Sequence, residues 1–189
     1  MYGEKKKALL EKILDNDPDF TGTIPYGNDR LTIMATALMR KYKGLVEMLI
    51  EAGDDINRKS SEGNTPLMYA VSSRNDDMIK LMLEKGAKLD TLNDQGLAAI
   101  HLTIFYKNAA ICGMSWRKSA SLVATLVENG DDINRLAENP SKDSLLTLAA
   151  KRILYSYPSF VKQLFDMGAD FNYINGDGNS VLHFAALQW

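Results

Sequence analysis

The chain has 189 residues, of which 46% are hydrophobic and 24% charged, a composition typical of a soluble globular protein. Its formal net charge of −2 provides no global basic field that would attract nucleic acid or a membrane surface. The single cysteine, Cys112, excludes a disulfide or a multi-cysteine zinc site within the chain. No apolar run reaches the length of about 18 residues that a membrane-spanning helix needs, and no signal-peptide core is seen. We therefore expect a cytoplasmic protein, and a secreted effector without a classical signal peptide remains an alternative.

The first predicted element in chain order is an amphipathic helix near the N-terminus. Residues 8–20 align with residues 44–56 at a constant offset of 36 positions, and their apolar side chains match. The match covers one helix and the loop after it. Residues 1–27 are therefore predicted to be a half-repeat that caps an array of repeats. A generic amphipathic helix is the alternative interpretation.

Two hexamers, one period apart, mark the next two helix pairs. TIMATA begins at Thr32 and TPLMYA begins at Thr65, 33 residues later, and Gly53 and Gly86 have the same spacing. Thr65 can cap the start of a helix, and Pro66 suits its first turn because the missing N–H costs no hydrogen bond there. Gly86 suits the left-handed end of the second helix.

Apolar residues of the second pair fall on one face of each helix. Leu67 and Leu81 belong to these faces, and we expect both side chains to be buried. Two short helices cannot bury both faces alone, so the pair needs stacked neighbours.

The later repeats are longer. The spacing from Gly86 to Gly130 is 44 residues and that from Gly130 to Gly168 is 38, so these repeats carry 11 and 5 residues more than the period of 33. The first insertion is placed at residues 107–118, and part of the second at residues 155–158. In the third repeat the extra residues lie between the two predicted helices, whereas in the fourth repeat part of them lies in the finger at residues 135–142 and part between the helices.

Corresponding hexamers in the third and fifth repeats are AAIHLT, which starts at Ala98, and SVLHFA, which starts at Ser180. A period of about 33 residues with a hexamer of the T-P-L-H-x-A type is the signature of ankyrin repeats. The chain resembles that family from about Leu9 to Trp189. The resemblance implies an all-α fold, a solenoid of stacked helix pairs joined by hairpin-like finger loops.

The resemblance also implies a single array as the domain organisation. The capping half-repeat at residues 1–27 would be followed by four repeats, at 28–57, 58–90, 91–134 and 135–172, and by a partial fifth repeat at 173–189.

Candidate chemical groups are few. His101 and His183 hold the fourth position of their hexamers, where the resemblance implies a histidine that bridges neighbouring loops by hydrogen bonds. They lie two repeats apart, too far to share a metal ion. Cys112 lacks a Cys-His signature, and the acidic pairs 54–55 and 131–132 recur with the period, which favours a role in turns. We expect no catalytic residue, no metal and no cofactor, and therefore no enzyme activity.

Recognition of another protein is the predicted function. In the ankyrin family the fingers and first helices line a concave face, and the insertions in consecutive repeats are expected to project from one edge. Aromatic and arginine side chains are the usual anchors of interfaces. The candidate partner-binding residues are Met39, Arg40, Phe105, Tyr106, Met114, Trp116, Leu136, Lys151, Arg152, Tyr155 and Tyr157, with Ile174 at a further finger tip.

Two alternatives stay open for the function. The chain is the recognition segment of a larger enzyme, toxin or effector, or it is a small inhibitor or immunity-type protein that blocks a partner enzyme. Leu182, Phe184 and Trp189 would leave an apolar side of the last helix uncovered. This end is consistent with a fragment of a longer chain, a natural short end, or end-to-end self-association. Neither nucleic acid nor a membrane is expected as a partner.

Overall fold

The computed structural model describes residues 24–26, 29–105, 114–153 and 158–186. These residues form nine helices and one two-stranded hairpin. The chain divides into two compact units, residues 1–87 and residues 88–189. The capping half-repeat predicted at residues 1–27 falls outside the described residues, apart from the first strand of the hairpin.

The first unit contains the hairpin and two helix pairs. Strands β1 (Ile24–Tyr26) and β2 (Asp29–Leu31) pair antiparallel, with Ile24 opposite Leu31. The helices that follow are α1 (Ile33–Met39), α2 (Lys43–Glu51), α3 (Pro66–Ser72) and α4 (Asp76–Glu84).

Side-chain caps start the first helix of each pair. The Oγ1 atom of Thr32 accepts a hydrogen bond from the Ala35 N–H at 3.1 Å, and Thr65 does the same for the Met68 N–H at 3.4 Å. The Thr65 N–H in turn donates to the sulfur of Met68 at 3.4 Å. Each cap satisfies a backbone group that the first helical turn leaves without a partner.

Apolar side chains from both pairs form the core of this unit, where α1 packs on α2 and α3, and α3 packs on α4. Leu67 is fully buried, as expected from the sequence. The expectation for Leu81 was wrong, because this side chain is only half-buried and Met82 takes the fully buried position. Within α4 the buried side chains are those of Met78, Ile79 and Met82.

The second unit continues the same helix pairing. Its helices are α5 (Ala99–Leu102), α6 (Met114–Glu128), α7 (Leu145–Ile153), α8 (Pro158–Asp166) and α9 (Val181–Ala186). Helix α7 packs against α5, α8 and α9, and α6 packs against α5 and α8. The predicted all-α repeat fold is confirmed, and the hairpin β1–β2 directly precedes helix α1.

The third repeat differs from its sequence assignment at two points. Its first helix is a single turn that ends at Leu102, so Phe105 lies beyond the helix. Ala98 at the N-cap has no side-chain oxygen to cap this helix, and the Ser119 hydroxyl of α6 donates to the Thr103 carbonyl at 2.8 Å just after it. Helix α6 begins at Met114, so the last five residues of the predicted insertion at 107–118 are helical.

Glycines with positive φ follow the second helix of four pairs. Gly53, Gly86, Gly130 and Gly168 have φ values of +87°, +86°, +96° and +95°, so each takes the left-handed conformation that ends a helix.

Gly96 faces a stronger constraint than these helix-end glycines. Its φ is +71°, and a Cβ atom at this position would overlap the backbone carbonyl group of Glu138 in the next loop. The two loops therefore pack backbone to backbone at Gly96, which only glycine permits.

We expect the Gly96→Ala variant to lose more stability than Gly178→Ala. Both glycines have positive φ, at +71° and +81°, but Gly178 has open space where a Cβ would stand. Gly178→Ala should cost about 1–2 kcal/mol for the left-handed conformation alone. Gly96→Ala should cost about 1–3 kcal/mol more, because the methyl group forces the two loops apart. Urea denaturation of both variants measures the difference, and equal losses would show that the close approach does not constrain the fold.

Candidate functional site

Three consecutive loops of the second unit form a continuous edge. We call them finger A (residues 88–98), finger B (residues 131–143) and finger C (residues 169–180). The Glu138 N–H of finger B donates to the Gly96 carbonyl of finger A at 2.8 Å. The Gly176 N–H of finger C donates to the Ser141 carbonyl of finger B at 2.6 Å. Main-chain hydrogen bonds therefore hold the three fingers side by side.

Side chains strengthen the contact between fingers B and C. The amide group of Asn134 donates to the Gly168 carbonyl at 3.1 Å, and its oxygen accepts from the Asp170 N–H at 2.7 Å. The Tyr173 hydroxyl donates to the Lys142 carbonyl at 2.5 Å. One asparagine thus spans both fingers, because it uses its donor and its acceptor at once.

Acidic residues near the finger bases act in turns, as the sequence indicated. The carboxylate of Asp55 accepts from the Asn57 N–H, that of Asp132 from the Asn134 N–H and that of Asp170 from the Asn172 N–H, each at 2.9 Å. This side-chain to backbone hydrogen bond two residues on is the Asx turn.

A buried carboxylate lies where finger B meets helix α7. Asp143 is 2% exposed, and its oxygens accept hydrogen bonds from Lys151 Nζ at 2.8 Å and from Asn175 Nδ2 at 2.8 Å. Asn139 Nδ2 at 3.1 Å and Thr147 Oγ1 at 3.2 Å complete the set. One side chain therefore connects its own finger, the next helix and the next finger.

The charge of Asp143 is stabilised within this cluster. Burial would raise the pKa of the carboxyl group, but the hydrogen bonds from Lys151, Asn175 and Asn139 and the positive charge of Lys151 lower it below its usual value. Lys151 also lies 3.7 Å from the Asp177 carboxylate and 5.4 Å from the centre of the Phe184 ring. Its ammonium group is thus engaged within the fold while the side chain stays 28% exposed, and its predicted role in partner binding stays a prediction.

His101 links helix α5 to finger B. Its Nδ1 atom accepts the Ala98 N–H at 3.0 Å, so the proton lies on Nε2, which donates to the Arg135 carbonyl at 2.9 Å. Arg135 is held in turn by its Nε atom, which donates to the buried Asp131 at 2.9 Å. Burial raises the pKa of Asp131, and the hydrogen bond from Arg135 opposes this rise.

His183 lies in a more exposed environment than His101. Its Nδ1 atom accepts from the Ser180 N–H at 3.1 Å, which repeats the cap that His101 makes within its own hexamer. The His183 ring is exposed, whereas that of His101 is fully buried. The described residues therefore show the loop-bridging hydrogen bond for His101 alone.

The first unit uses another buried carboxylate for the same purpose. Asp29 of strand β2 accepts hydrogen bonds from the Ser60 hydroxyl at 3.1 Å, the Ser61 hydroxyl at 3.0 Å and the Glu62 N–H at 3.1 Å, and also from Tyr69. Burial would raise the pKa of Asp29, but these hydrogen bonds, led by that from Tyr69, lower it. Burial and the neighbouring Asp29 raise the pKa of Tyr69 above its usual value. The hairpin β1–β2 is thus tied to the next finger and to helix α3.

The described candidate residues separate into exposed and packed positions. Leu136 of finger B is 40% exposed and Ile174 of finger C is 59% exposed. Arg40 is exposed at the C-cap of α1. Met39 instead packs against the core cluster of Leu31, Ala35 and Tyr69, and Phe105 is half-buried.

Several predicted partner-binding residues lie outside this description. Tyr106, Tyr155 and Tyr157 are not among the described residues. Met114 and Trp116 lie in helix α6 and Arg152 lies in helix α7, and only their backbone is described. The edge formed by the two insertions therefore stays a prediction.

Sequence reasoning missed the two buried carboxylates and Asn175. One signal was present, since Asp143 directly precedes Ser144, the N-cap residue whose hydroxyl accepts the Thr147 N–H at 3.2 Å. An acidic residue directly before the N-cap of a helix, with Lys151 further along that helix, is consistent with a buried ion pair.

The described residues show neither a candidate metal cluster nor a candidate membrane span. They contain no group of three or more His, Cys, Asp or Glu side chains that could hold a metal ion. Within the same ranges, no helix has both the length and the apolar character needed to cross a membrane.

The known proteins that match this chain share its repeat pattern. A family model described as ankyrin repeats (three copies) matches residues 2–93 and, in a second match, residues 33–114. The chain is 27% identical to the nuclear factor NF-kappa-B p105 subunit of Gallus gallus over 95% of this chain and 18% of that protein. It is 36% identical to the transient receptor potential cation channel subfamily A member 1 of Homo sapiens over 39% of this chain and 6% of that protein.

A viral protein matches as well. The chain is 31% identical to the putative ankyrin repeat protein FPV219 of Fowlpox virus (strain NVSL) over 41% of this chain and 18% of that protein. The aligned segments thus span less than one fifth of the length of each of these three relatives.

The buried His101 predicts a specific dependence of stability on pH. Burial lowers the pKa of His101, and the hydrogen bond to Arg135 opposes this effect. In the unfolded chain the imidazole titrates near its ordinary pKa of about 6.5. The unfolded state therefore binds more protons as the pH falls through this value, and stability is lost on acidification.

We expect the free energy of unfolding to fall more steeply between about pH 7 and pH 5 in the wild type than in His101→Gln. Glutamine at this helix position can still accept the hydrogen bond from the N-cap residue, but it does not titrate. His183→Gln is the matched control, because it removes the exposed histidine of the corresponding hexamer. Urea titrations across this pH range measure the slopes, and parallel curves for wild type and His101→Gln would contradict the prediction.

Proposed function

Because the chain belongs to the ankyrin repeat family, we propose that it is a non-catalytic scaffold that recognises another protein through the exposed edge of fingers A, B and C. Ankyrin repeats generally mediate protein–protein interactions. The observation that carries the proposal is the exposure of Leu136 and Ile174 at equivalent positions of neighbouring fingers. Each lies six residues after the glycine that ends the preceding second helix, Gly130 or Gly168.

Exposed apolar side chains on a backbone that is fixed by hydrogen bonds favour the binding of a partner. Fingers B and C are joined by the main-chain hydrogen bond from the Gly176 N–H to the Ser141 carbonyl. The side chain of Asn134 adds a second link, because it donates to the Gly168 carbonyl. A partner that covers Leu136 and Ile174 gains apolar burial while the loops lose little further conformational freedom. Their positions thus have the properties of interface anchors.

The inserted edge is the second part of the proposed surface. Trp116 and Tyr157 come from the insertions in consecutive repeats, and insertions in repeat arrays often map to one binding face. The alternative is that these aromatic side chains pack into a small local core beneath the inserted segments. A change in affinity without a change in melting temperature distinguishes the first role from the second.

The length of the relatives supports one of the two alternative functions predicted from the sequence. Each aligned segment covers less than one fifth of its relative, so repeat segments of this kind occur within larger proteins. We therefore keep the proposal that this chain is the recognition segment of a larger enzyme, toxin or effector, beside that of a small inhibitor. We place its action in the cytoplasm, and cell fractionation checks the compartment.

The central test of this proposal is quantitative capture of partner proteins. Immobilised wild type and variants are incubated with extract of the native cells, and bound proteins are quantified by mass spectrometry. Leu136→Ser/Ile174→Ser should lose specific partners by a factor of about ten or more, which corresponds to about 1.4 kcal/mol. Trp116→Ala/Tyr157→Ala tests the inserted edge in the same way.

Phe165→Ser is the matched control for the finger variant. Phe165 is 54% exposed and lies on helix α8; because its ring makes an edge-to-face contact with Phe171 of finger C, the melting temperature of this variant is measured as well. Partners that bind wild type and Phe165→Ser, but not the finger variant, support the proposal. If every captured protein binds all variants equally, with melting temperatures unchanged, the finger edge is not the recognition surface.

Self-association is a second proposal, and one observation favours it. Leu182 holds the third position of its hexamer, as do Leu67 and Ile100, and Leu146 holds the corresponding position in the fourth repeat, two residues after Ser144. Those three side chains are fully buried or nearly so, whereas Leu182 is 58% exposed. An exposed apolar face of this kind favours burial against a second copy of the chain.

We expect the purified chain to self-associate and the Leu182→Glu variant to shift towards the monomer, because a buried charge at the contact opposes pairing. Sedimentation velocity at increasing protein concentration measures this shift. Ile174→Glu, which changes an equally exposed side chain on finger C, is the control. A wild type that stays monomeric at all concentrations would contradict self-association and leave the finger proposal untouched.

A further inference from the structure

Fingers A, B and C carry both exposed apolar side chains and an excess of acidic residues. We propose that the partner segment they bind is basic and apolar, with lysine or arginine side chains beside the apolar residues that cover Leu136 and Ile174. This inference rests on the proposed function, since it names the chemistry of the partner that the same edge would recognise.

The apolar centres repeat from finger to finger. Leu136 and Ile174 are exposed in fingers B and C, and Leu92 holds the corresponding position, six residues after Gly86, in finger A, where it is half-buried. The hydrogen bond from the Glu138 N–H to the Gly96 carbonyl keeps fingers A and B adjacent. A partner that follows the edge therefore meets an apolar side chain at each finger.

Negative charge is concentrated in the same three loops. Together they contain eight acidic and three basic residues, a net charge of −5, whereas the whole chain carries −2. The rest of the chain thus carries +3, so the acidity belongs to the fingers.

Internal ion pairs account for only part of this charge. Asp131 is paired with Arg135, and Asp143 with Lys151, in buried contacts. The acidic residues that remain exposed are Asp90, Asp94, Asp132, Glu138, Asp170 and Asp177, of which Asp177 also lies 3.7 Å from Lys151. Two basic finger residues, Lys88 and Lys142, are also exposed, so the accessible charge is six negative against two positive.

Complementary charge selects one class of partner. A basic segment is attracted to this edge at a range set by the Debye length, about 8 Å at physiological salt. An acidic segment meets like charge around its apolar contacts, which disfavours the complex. The phosphate groups of nucleic acids and anionic lipids are disfavoured for the same reason. Apolar contact with Leu136 and Ile174 then distinguishes a basic apolar segment from a purely basic one.

The experiment is selection of random peptides, displayed on phage, against the full chain. Selected peptides are synthesised, and their dissociation constants are measured by fluorescence anisotropy at low and high salt. We expect peptides with a net positive charge and interspersed apolar residues, whose binding weakens as salt is raised. Leu136→Ser/Ile174→Ser should weaken them by a factor of about ten or more.

Charge variants test the electrostatic part directly. Glu138→Gln/Asp170→Asn removes two exposed finger charges and should weaken the selected peptides about fivefold or more, while Glu84→Gln/Glu128→Gln removes two exposed charges outside the fingers and should change little. Thermal denaturation checks that all variants fold. These results together would support the inference.

Two outcomes would overturn the inference, and they can be told apart. If neutral or acidic peptides are selected and depend on Leu136 and Ile174, the charge preference is wrong while the finger edge is still a recognition surface. If no peptide depends on these two residues, both the inference and the proposed finger surface fail.

Discussion

The arrangement of the fingers depends on a buried charge that must be satisfied. Asp143 is almost completely buried, and it accepts hydrogen bonds from Asn139 of its own finger, from Lys151 of the following helix and from Asn175 of the next finger. Loss of any of these donors leaves the carboxylate less well solvated in a medium that penalises unpaired charge. The position of finger C relative to finger B is therefore specified by chemistry as well as by packing.

Asp29 shows that the same constraint can be met by other residues. In the first unit its partners are the hydroxyl groups of Ser60 and Ser61, the ring hydroxyl of Tyr69 and the Glu62 N–H, and these neutral donors lower its pKa. Neutral donors suffice because several of them converge on one carboxylate. In both units a buried aspartate connects one loop with the next.

Local rules account for what the sequence predicted well. Threonine caps, Pro66 at the first turn and glycines with positive φ act within a few residues, so the hexamers and the period located the helix pairs. The sequence predicted the structure less well where contacts between distant residues determine it. Helix α6 is linked to the end of α5 by the hydrogen bond from Ser119 to the Thr103 carbonyl, and the burial of Met82 in place of Leu81 depends on how a nine-residue helix is rotated against its neighbours.

The surface was predictable only in part. Leu136 stood out as an apolar residue in a finger, but Lys151 also looked like a surface residue until its ion pair with Asp143 was seen. That pair is part of a cluster whose other donor, Asn175, lies 32 residues further along the chain. A contact of this separation depends on the exact lengths of the finger and helices between the two residues, and periodicity does not provide them.

A double-mutant cycle between Asp143 and Asn175 tests the central claim most directly. The free energies of unfolding of Asp143→Ala, Asn175→Ala and the double variant are measured by urea denaturation. The account predicts a coupling energy of about 0.5–3 kcal/mol, as expected for residues in one hydrogen-bond network. Asp143→Ala combined with Glu128→Ala is the control and should be additive within about 0.5 kcal/mol. Additivity of the Asp143 and Asn175 substitutions would show that the buried carboxylate does not hold the fingers together.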